Sequence, residues 1–284
     1  LSIIGVIGGS GLYEIEELTN VEEVSLETPF GPPSDNFIIG ELSGVKMVFL
    51  PRHGGGHRIT PSELNFRANI YGMKKLGVER IISVSAVGSM KEEIEPGHIV
   101  IPNQFIDLTK GRKSTFFSGG VVGHVTFADP ICGELGKAVY DSALAVGAKT
   151  HFGGTYVCIE GPQFSTRAES RVYRSWDVDV IGMTNVTEAK LAREAEMCYT
   201  TIALSTDYDC WHEEEEDVSV EAILEIIKNN VNTARAIIRE TAGRLSPERG
   251  CRCGSALEYA IISDRSRIPE NVKKDLEIII GKYI

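Results

Sequence analysis

No apolar run in this 284-residue chain reaches the roughly 18 residues needed to cross a bilayer, so no membrane-spanning helix is expected. Basic residues are also scarce. Twenty-nine Lys and Arg face 40 Asp and Glu, giving a formal net charge of −11. Phosphate backbones select basic faces, so nucleic acid is not expected as a partner. A small anion remains open, because a few placed Arg and His side chains can hold one inside an acidic chain. The start, Leu1 to Gly5, shows neither the basic n-region nor the cleavage site of a secretory signal, and the cytoplasm is the expected location. Two phosphate signatures are missing from Gly8-Gly9-Ser10-Gly11. No Lys-Ser or Lys-Thr follows it, as a Walker loop would require, and the G-x-G-x-x-G spacing of dinucleotide sites fails. No internal repeat and no clear domain linker is visible.

Six cysteines are present. Cys132, Cys158, Cys198 and Cys210 sit in apolar or mixed contexts and read as buried thiols. Cys251 and Cys253 stand one residue apart in a polar, Gly-flanked stretch. That spacing is too tight for the usual zinc pattern, and no second pair completes a site. A tight local disulfide is one reading, rare inside cells outside hyperthermophiles.

The hydrophobic content of 42% supports a proper globular core. Short apolar runs at 3–7, 45–50, 80–85, 99–101, 155–159, 178–181 and 202–205 read as strands. Helical spacing covers 62–76, 130–147, 167–176, 186–195 and 218–245, with Gly147 as a C-cap. The alternation indicates an α/β fold with a mixed or largely parallel sheet. Residues 110–123, rich in Gly, Ser and Phe, read as flexible. The run from His212 to Asp217 reads as a solvated helix start with acids favoured by the dipole. From Ser246 onward the composition shifts to a polar tail.

The polar chemistry gathers at strand ends, where open α/β sheets bind ligands. Asp207 and Asp209 follow the run 202–205. They can accept from an amino group or, when protonated, serve a ring nitrogen; on this stretch alone the plainer reading is turn residues capping the next helix. The glycine turn at Ser10 offers a hydroxyl and backbone N–H groups. Arg52 and His53 supply a fork of donors and an imidazole, and Ser85 with Ala86 adds a hydroxyl and an amide. Phe164 lies on a loop after a Gly-Pro break and can stack on a flat base, while Met183 follows a strand and a glycine. For both, core packing is the plainer reading.

Taken in order, Gly8–Gly11, Thr28–Gly31, Arg52–Gly54, Glu160–Ser165, Arg167–Glu169 and Thr206–Trp211 resemble the trimeric purine nucleoside phosphorylases. The likeness is strongest to the branch that cleaves 5'-methylthioadenosine, and it runs through nearly all of residues 3–245. It implies a single α/β domain, 1–245, whose mixed central sheet forms a distorted partial barrel surrounded by helices. It also implies reversible cleavage of the N-glycosidic bond by inorganic phosphate, without metal or organic cofactor, in a homo-oligomer (a trimer or a dimer of trimers). Carried over, phosphate would meet Ser10, Arg52, His53, Ser85, the Ala86 amide and Thr184. Ribose would meet Met183, with His57 near the phosphate and sugar end. Phe164, Ser165, Asp207 and Asp209 would surround the base, with Asp207 as the catalytic acid. Val220, Ile223 and Leu224 would line a 5'-methylthio pocket, and His124 would reach a neighbouring subunit's site. The tail, 246–284, resembles those of archaeal and thermophilic members. It is expected to pack on the same domain or a neighbouring subunit, with Cys251 and Cys253 bridged.

Within the resemblance, guanine-type relatives place Glu at the position of Ser165 and Asn at that of Asp207. A carboxylate accepts from a 6-amino group and repels a 6-oxo group, so adenine is the expected base. Several methylthioadenosine-cleaving relatives carry Asn at the position of Gly182 and Thr at that of Ser10; the first difference is expected to loosen the ribose-binding turn. Three other readings compete: a broad phosphorylase accepting 6-oxopurines, a nucleosidase using water, and a non-catalytic purine-binding protein. The first would cleave inosine and guanosine. The second would need no phosphate cradle, and the third no proton donor.

Overall fold

The computed structural model describes residues 2–212 and 220–284, apart from the side chains of Ser10, 220–225 and 227. The described strands are β1 (Ile3–Gly8), β2 (Thr19–Val24), β3 (Phe37–Leu42), β4 (Val45–Pro51), β5 (Val78–Ser89) and β6 (Ile99–Ile101). They continue with β7 (Gln104–Leu108), β8 (Thr150–Phe152), β9 (Thr155–Ile159), β10 (Val180–Gly182) and β11 (Cys198–Asp207). The longer helices are α1 (Phe66–Lys75), α2 (Gly133–Ala145), α3 (Arg167–Ser175), α4 (Asn185–Glu194) and α5 (Val220–Arg244). Two short ones, α6 (Glu270–Asp275) and α7 (Glu277–Ile280), lie in the tail.

All these strands belong to one mixed sheet that does not close. The pairs β1–β4, β1–β5 and β5–β11 are parallel, so these four strands end at the same edge. The long β5 is the branch point. Its body lies between β1 and β11, and its carboxyl end pairs antiparallel with β10 at Gly88 and Ser89. From there β10, β9 and β7 lead one way and β11, β6 and β8 the other. The split opens a cleft at the carboxyl ends, where polar groups collect.

Alternate residues of β5 serve opposite cores. Ile81 joins one with Ile70 and Met73 of α1 and Leu191 of α4. Ile82 and Val84 join the other with Leu135 and Val139 of α2 and Ile237 and Ile238 of α5. Each such side chain contributes roughly 1.5–3 kcal/mol of transfer free energy, so a sheet covered on both faces forms a firm platform.

Helix starts follow local chemistry. The Asn65 side chain accepts from the Ala68 N–H, so α1 begins at Phe66 rather than at 62. Cys132 is the N-cap of α2, which delays that helix to Gly133, and Gly147 just beyond its end has φ +77°. Thr166 and Glu169 form a capping box at α3, which fixes the end of the loop 160–165.

The segment 110–123 is not the loose stretch its composition suggests. Phe116, Phe117 and Val121 are buried in the core, and Arg112 is held by Glu160. The tail packs on its own chain. Leu257, Ala260, Ile268, Leu276, Ile279 and Ile280 are buried against the α1 and α4 side. Buried Glu196 anchors it, accepting from the Leu257 N–H at 3.0 Å and the Tyr283 hydroxyl at 2.5 Å, and pairing with Lys282.

Candidate active site

A cavity of about 450 Å³ opens where β1, β4, β5 and β11 end. One end collects anion-binding groups: Arg52 and His53 from the turn after β4, Ser85 and Ala86 from β5, and Thr184 at the start of α4. Arg52 is buried and largely committed. Its Nε donates to Glu188 at 2.5 Å, Nη1 to the Val84 carbonyl at 2.8 Å, and Nη2 to Ser83, Glu188 and the Ile7 carbonyl. Burial works against its charge, and the Glu188 carboxylate more than restores it. By count, one Nη1 hydrogen remains for a ligand. Glu188 cancels the guanidinium charge, so an anion here meets oriented donors more than net charge.

His53 Nδ1 lies 2.8 Å from the Ile59 carbonyl, an acceptor, so Nδ1 carries the proton and the neutral Nε2 is an acceptor. Burial, with Arg52 nearby, lowers its pKa to about 4. His57, at φ +55°, stacks on it at 4.3 Å. Ser85 Oγ is buried and makes no well-formed hydrogen bond. The Thr184 hydroxyl is within 3.0 Å of Asn185 Oδ1, to which it donates. A buried hydroxyl without a partner is costly unless a ligand completes it.

The other end belongs to β11. That strand runs to Asp207, so Asp207 is its last residue rather than a loop residue. A bulge between Ser205 and Asp207 sets Asp207 opposite Gly88. Asp207 Oδ2 accepts from the Thr206 hydroxyl at 2.7 Å and Oδ1 from the Asp209 N–H at 2.8 Å, which holds the carboxylate in one orientation. Gly88 leaves the two carboxylates their room. A Cβ would lie 3.1 Å from Asp207 Oδ1 and 3.3 Å from Asp209 Cβ. Asp209 accepts from Ser170 at 2.7 Å. Burial raises its pKa; the Ser170 hydroxyl pulls it back, and the Asp207 charge adds to the rise. Ser165 Oγ also lines the cavity, buried and unpartnered. Phe164 stands at the rim, 84% exposed, where a base can cover it.

Between the two ends lies Met183. Arg112 fixes its backbone, donating to the Met183 carbonyl at 2.6 Å and the Glu160 carbonyl at 2.7 Å. Gly161, at φ +67°, makes room for its sulfur; a Cβ there would come within 2.5 Å. Gly182 does not loosen this turn. It is paired to Cys158 in the sheet, and the Tyr156 hydroxyl fills the place its Cβ would take.

Residues 3–242 match the Phosphorylase superfamily. Over 283 residues, 99% of each chain, the sequence is 64% identical to the S-methyl-5'-thioadenosine phosphorylase of Geobacter sulfurreducens. This chain belongs to the phosphorylase superfamily, among the S-methyl-5'-thioadenosine phosphorylases. The enzyme of that name from Koribacter versatilis is 56% identical over 99% of this chain and 96% of its own. A methylthioadenosine phosphorylase sourced from an antarctic soil metagenomic library superposes with a TM-score of 0.94 at 47% identity, covering 98% of each chain. The Schistosoma mansoni enzyme in complex with tubercidin superposes at 0.83 with 34% identity, over 91% of this chain and 96% of its own.

The cavity therefore brings together Arg52, His53, His57, Ser85, Ala86, Phe164, Ser165, Met183, Thr184, Asp207 and Asp209. The side chains of Ser10, Val220, Ile223 and Leu224 lie outside the described residues. His124 is not in this cavity; it lines a second one with Asp129, Arg193 and Tyr259. Residues unremarked in the sequence also enter: Ile159, Ile181 and Leu204 add apolar walls, and Asn230 and Val231 of α5 lie over the mouth. Asn230 donates to the Ser205 carbonyl and Arg235 to the Gly11 carbonyl, so α5 holds both the aspartate strand and the glycine turn. Their periodicity reads only as a helix face.

The expected Cys251–Cys253 bridge is not formed, and all six cysteines are free thiols. Cys251 is extended, with φ −86° and ψ 163°, and leads into a turn at 252–255. Cys251 and Cys253 meet Cys132 and Cys198 instead, the second pair that the sequence spacing does not show.

Proposed function

We propose that this chain catalyses the reversible phosphorolysis of 5'-methylthioadenosine, releasing adenine and 5-methylthioribose 1-phosphate. One observation carries the reading. A single cavity has the unpartnered Ser85 hydroxyl beside Arg52, His53 and Thr184 at one end and a fixed carboxylate at the other. A nucleoside laid between them exposes its glycosidic bond to an anion below the sugar.

Asp207 receives the adenine 6-amino group and is the acid for N7. Asp209 stands beside it, its pKa raised by burial, and binds Ser170, which orients this end of the site. As the bond to the base breaks, the sugar gains positive character. Phosphate on Ser85, His53, Arg52 and Thr184 stabilises that charge and then attacks C1'. Neutral His53 Nε2 accepts the hydrogen of a protonated phosphate oxygen. The apolar walls exclude water, which favours phosphate as the nucleophile.

The same reading makes the protein a cytoplasmic homo-oligomer, a trimer or a dimer of trimers. The position of His124 away from its own chain's cavity supports this, since a neighbour's cavity would then receive it. Phosphate is a co-substrate, and no cofactor takes part.

A product assay on methylthioadenosine, adenosine, inosine and guanosine, each with and without phosphate, tests the reading. Adenine and a sugar 1-phosphate should form from the first two only when phosphate is present. Free methylthioribose formed without phosphate would make the enzyme a nucleosidase. Equal turnover of inosine and guanosine would make it a broad phosphorylase.

A further inference from the structure

Four cysteines from three distant segments meet well away from the nucleoside cavity. Cys132 caps α2, Cys198 opens β11, Cys251 leads into the tail turn at 252–255 and Cys253 lies within it. Their sulfurs all lie within 4.8 Å of one another, and Cys198 and Cys251 are 3.3 Å apart. None is at bonding distance. A tetrahedral zinc ion with Zn–S of about 2.3 Å needs sulfurs about 3.8 Å apart, within this spread. Three of the four cysteines are buried and Cys251 is partly so. A compact set of four thiols, with no hard ligand among them, selects a soft divalent ion.

Arg80 supplies an independent sign of charge at this place. It stands opposite Cys198 in the parallel β5–β11 register, so the two side chains share one face of the sheet. It is 1% exposed. Its Nη2 donates to the Glu248 carbonyl at 3.0 Å, and the nearest carboxylate oxygen, on Glu134, is 3.7 Å away. Its Nε and Nη1 have no hydrogen-bond partner. Glu134 is its ion-pair partner, yet two of its buried nitrogens stay without a hydrogen bond, which leaves the guanidinium only partly satisfied. Four thiolates on a dication together carry two negative charges, and a buried cation on the same face of the sheet suits that sign of charge. The Cys132 sulfur also accepts from the Leu135 N–H at 3.5 Å, at the positive end of α2.

We infer that Cys132, Cys198, Cys251 and Cys253 are the four ligands of a structural zinc site that clamps the tail to the core. Zinc displaces the thiol protons to solvent, and no electron is transferred. The site shares no lining residue with the nucleoside cavity of its own chain, while Cys132, Cys251 and Cys253 line the second cavity with His124; its role is to hold the tail.

The test uses the full, untagged chain, expressed with zinc chloride in the medium and purified under reductant. Elemental analysis should find about one zinc per chain that survives dialysis against a chelator and is released when a mercurial titrates the thiols. Replacing zinc with cobalt chloride should give intense thiolate-to-cobalt absorption, lost in Cys132→Ser. Cys253→Ser should bind no zinc and lose thermal stability, while phosphorolysis per folded molecule stays near that of the parent. Iron at the same stoichiometry would support the ligand set and change only the metal. Should the serine variants fail to fold, native mass spectrometry of the parent decides alone. A metal-free chain with four reactive thiols that takes up no added zinc would overturn the inference. So would a metal-free chain four hydrogens lighter with two disulfides among these cysteines.

Discussion

Changing Asp207 to Asn removes one charge and exchanges one acceptor for a donor, and the structure says which oxygen is exchanged. Oδ1 accepts from the Asp209 main-chain N–H at 2.8 Å, a donor that cannot turn away. Oδ2 accepts from the Thr206 hydroxyl at 2.7 Å, and that hydroxyl has a second acceptor in the Val87 carbonyl at 3.3 Å. The new side-chain amide will therefore keep its oxygen on Asp209 and turn its nitrogen toward Thr206, which rotates to Val87. Each donor keeps a partner, so the cost in stability should be at most about 1 kcal/mol. The second amide hydrogen then faces the base, where the carboxylate had offered a lone pair. A 6-amino group meets a donor and a 6-oxo group gains one. Reversing one such contact is worth about 1–3 kcal/mol, or roughly five- to 150-fold in relative kcat/KM. Loss of the acid should lower the rate on methylthioadenosine by about 100- to 10,000-fold. The assay is kcat/KM for methylthioadenosine and inosine on the same preparation, with thermal unfolding as the control for folding. A folded variant with an unchanged substrate ratio would refute the assignment of Asp207 to the amino edge.

Three further outcomes follow from the geometry. In Gly88→Ala the new Cβ presses within 3.0–3.3 Å of Ile181, Asp207 and Asp209, so the carboxylates must shift by a few tenths of an ångström. This should cost about tenfold in kcat/KM for the nucleoside and leave the phosphate KM nearly unchanged; wild-type kinetics would contradict it. Burial raises the Glu194 pKa from 4.5 to about 7 against hydrogen bonds from the Phe116 N–H and the Thr115 hydroxyl. Between those values the folded chain holds a proton that the unfolded chain has lost, so stability should fall as pH rises through the window and then level off. Urea unfolding from pH 5 to pH 8 should show that decline in the parent and a flatter profile in Glu194→Gln. Replacing Glu196 with Ala removes the acceptor of the Leu257 N–H, the Tyr283 hydroxyl and the Lys282 ammonium. The loss should be about 2–4 kcal/mol, with limited proteolysis beginning beyond residue 245; a protease-resistant tail would argue against the anchor.

Much of the site is legible in the sequence because its chemistry sits where apolar runs stop. The run 202–205 marks β11, and Asp207 follows from its end. Arg52 with His53, and Ser85 with Ala86, follow in the same way from β4 and β5. What stays hidden depends on distance along the chain. Glu188, which neutralises Arg52, is 136 residues away. The bulge that aims Asp207 is a matter of pairing, and composition does not record it. Asn230, Val231 and Arg235 read as one face of a long helix, and only packing over the cleft gives them a role. The edge strand Thr19–Val24 escapes because it is mostly exposed and carries two glutamates without alternation. The segment 110–123 looks loose by composition, yet Phe116 and Phe117 pack inward and Arg112 ties it to Glu160 and Met183. The CxC pair looks local until the fold brings it to Cys132 and Cys198.

The central claim is spatial: one cavity holds an adenine at Asp207 and an anion beneath the sugar. A crystal structure of the protein with adenine and phosphate tests it most directly. It should show the amino edge of the base within hydrogen-bond distance of the Asp207 carboxylate, and phosphate on Ser85 and His53 beside the remaining Arg52 hydrogen. A base seated away from Asp207, or no anion between Arg52 and His53, would contradict the account.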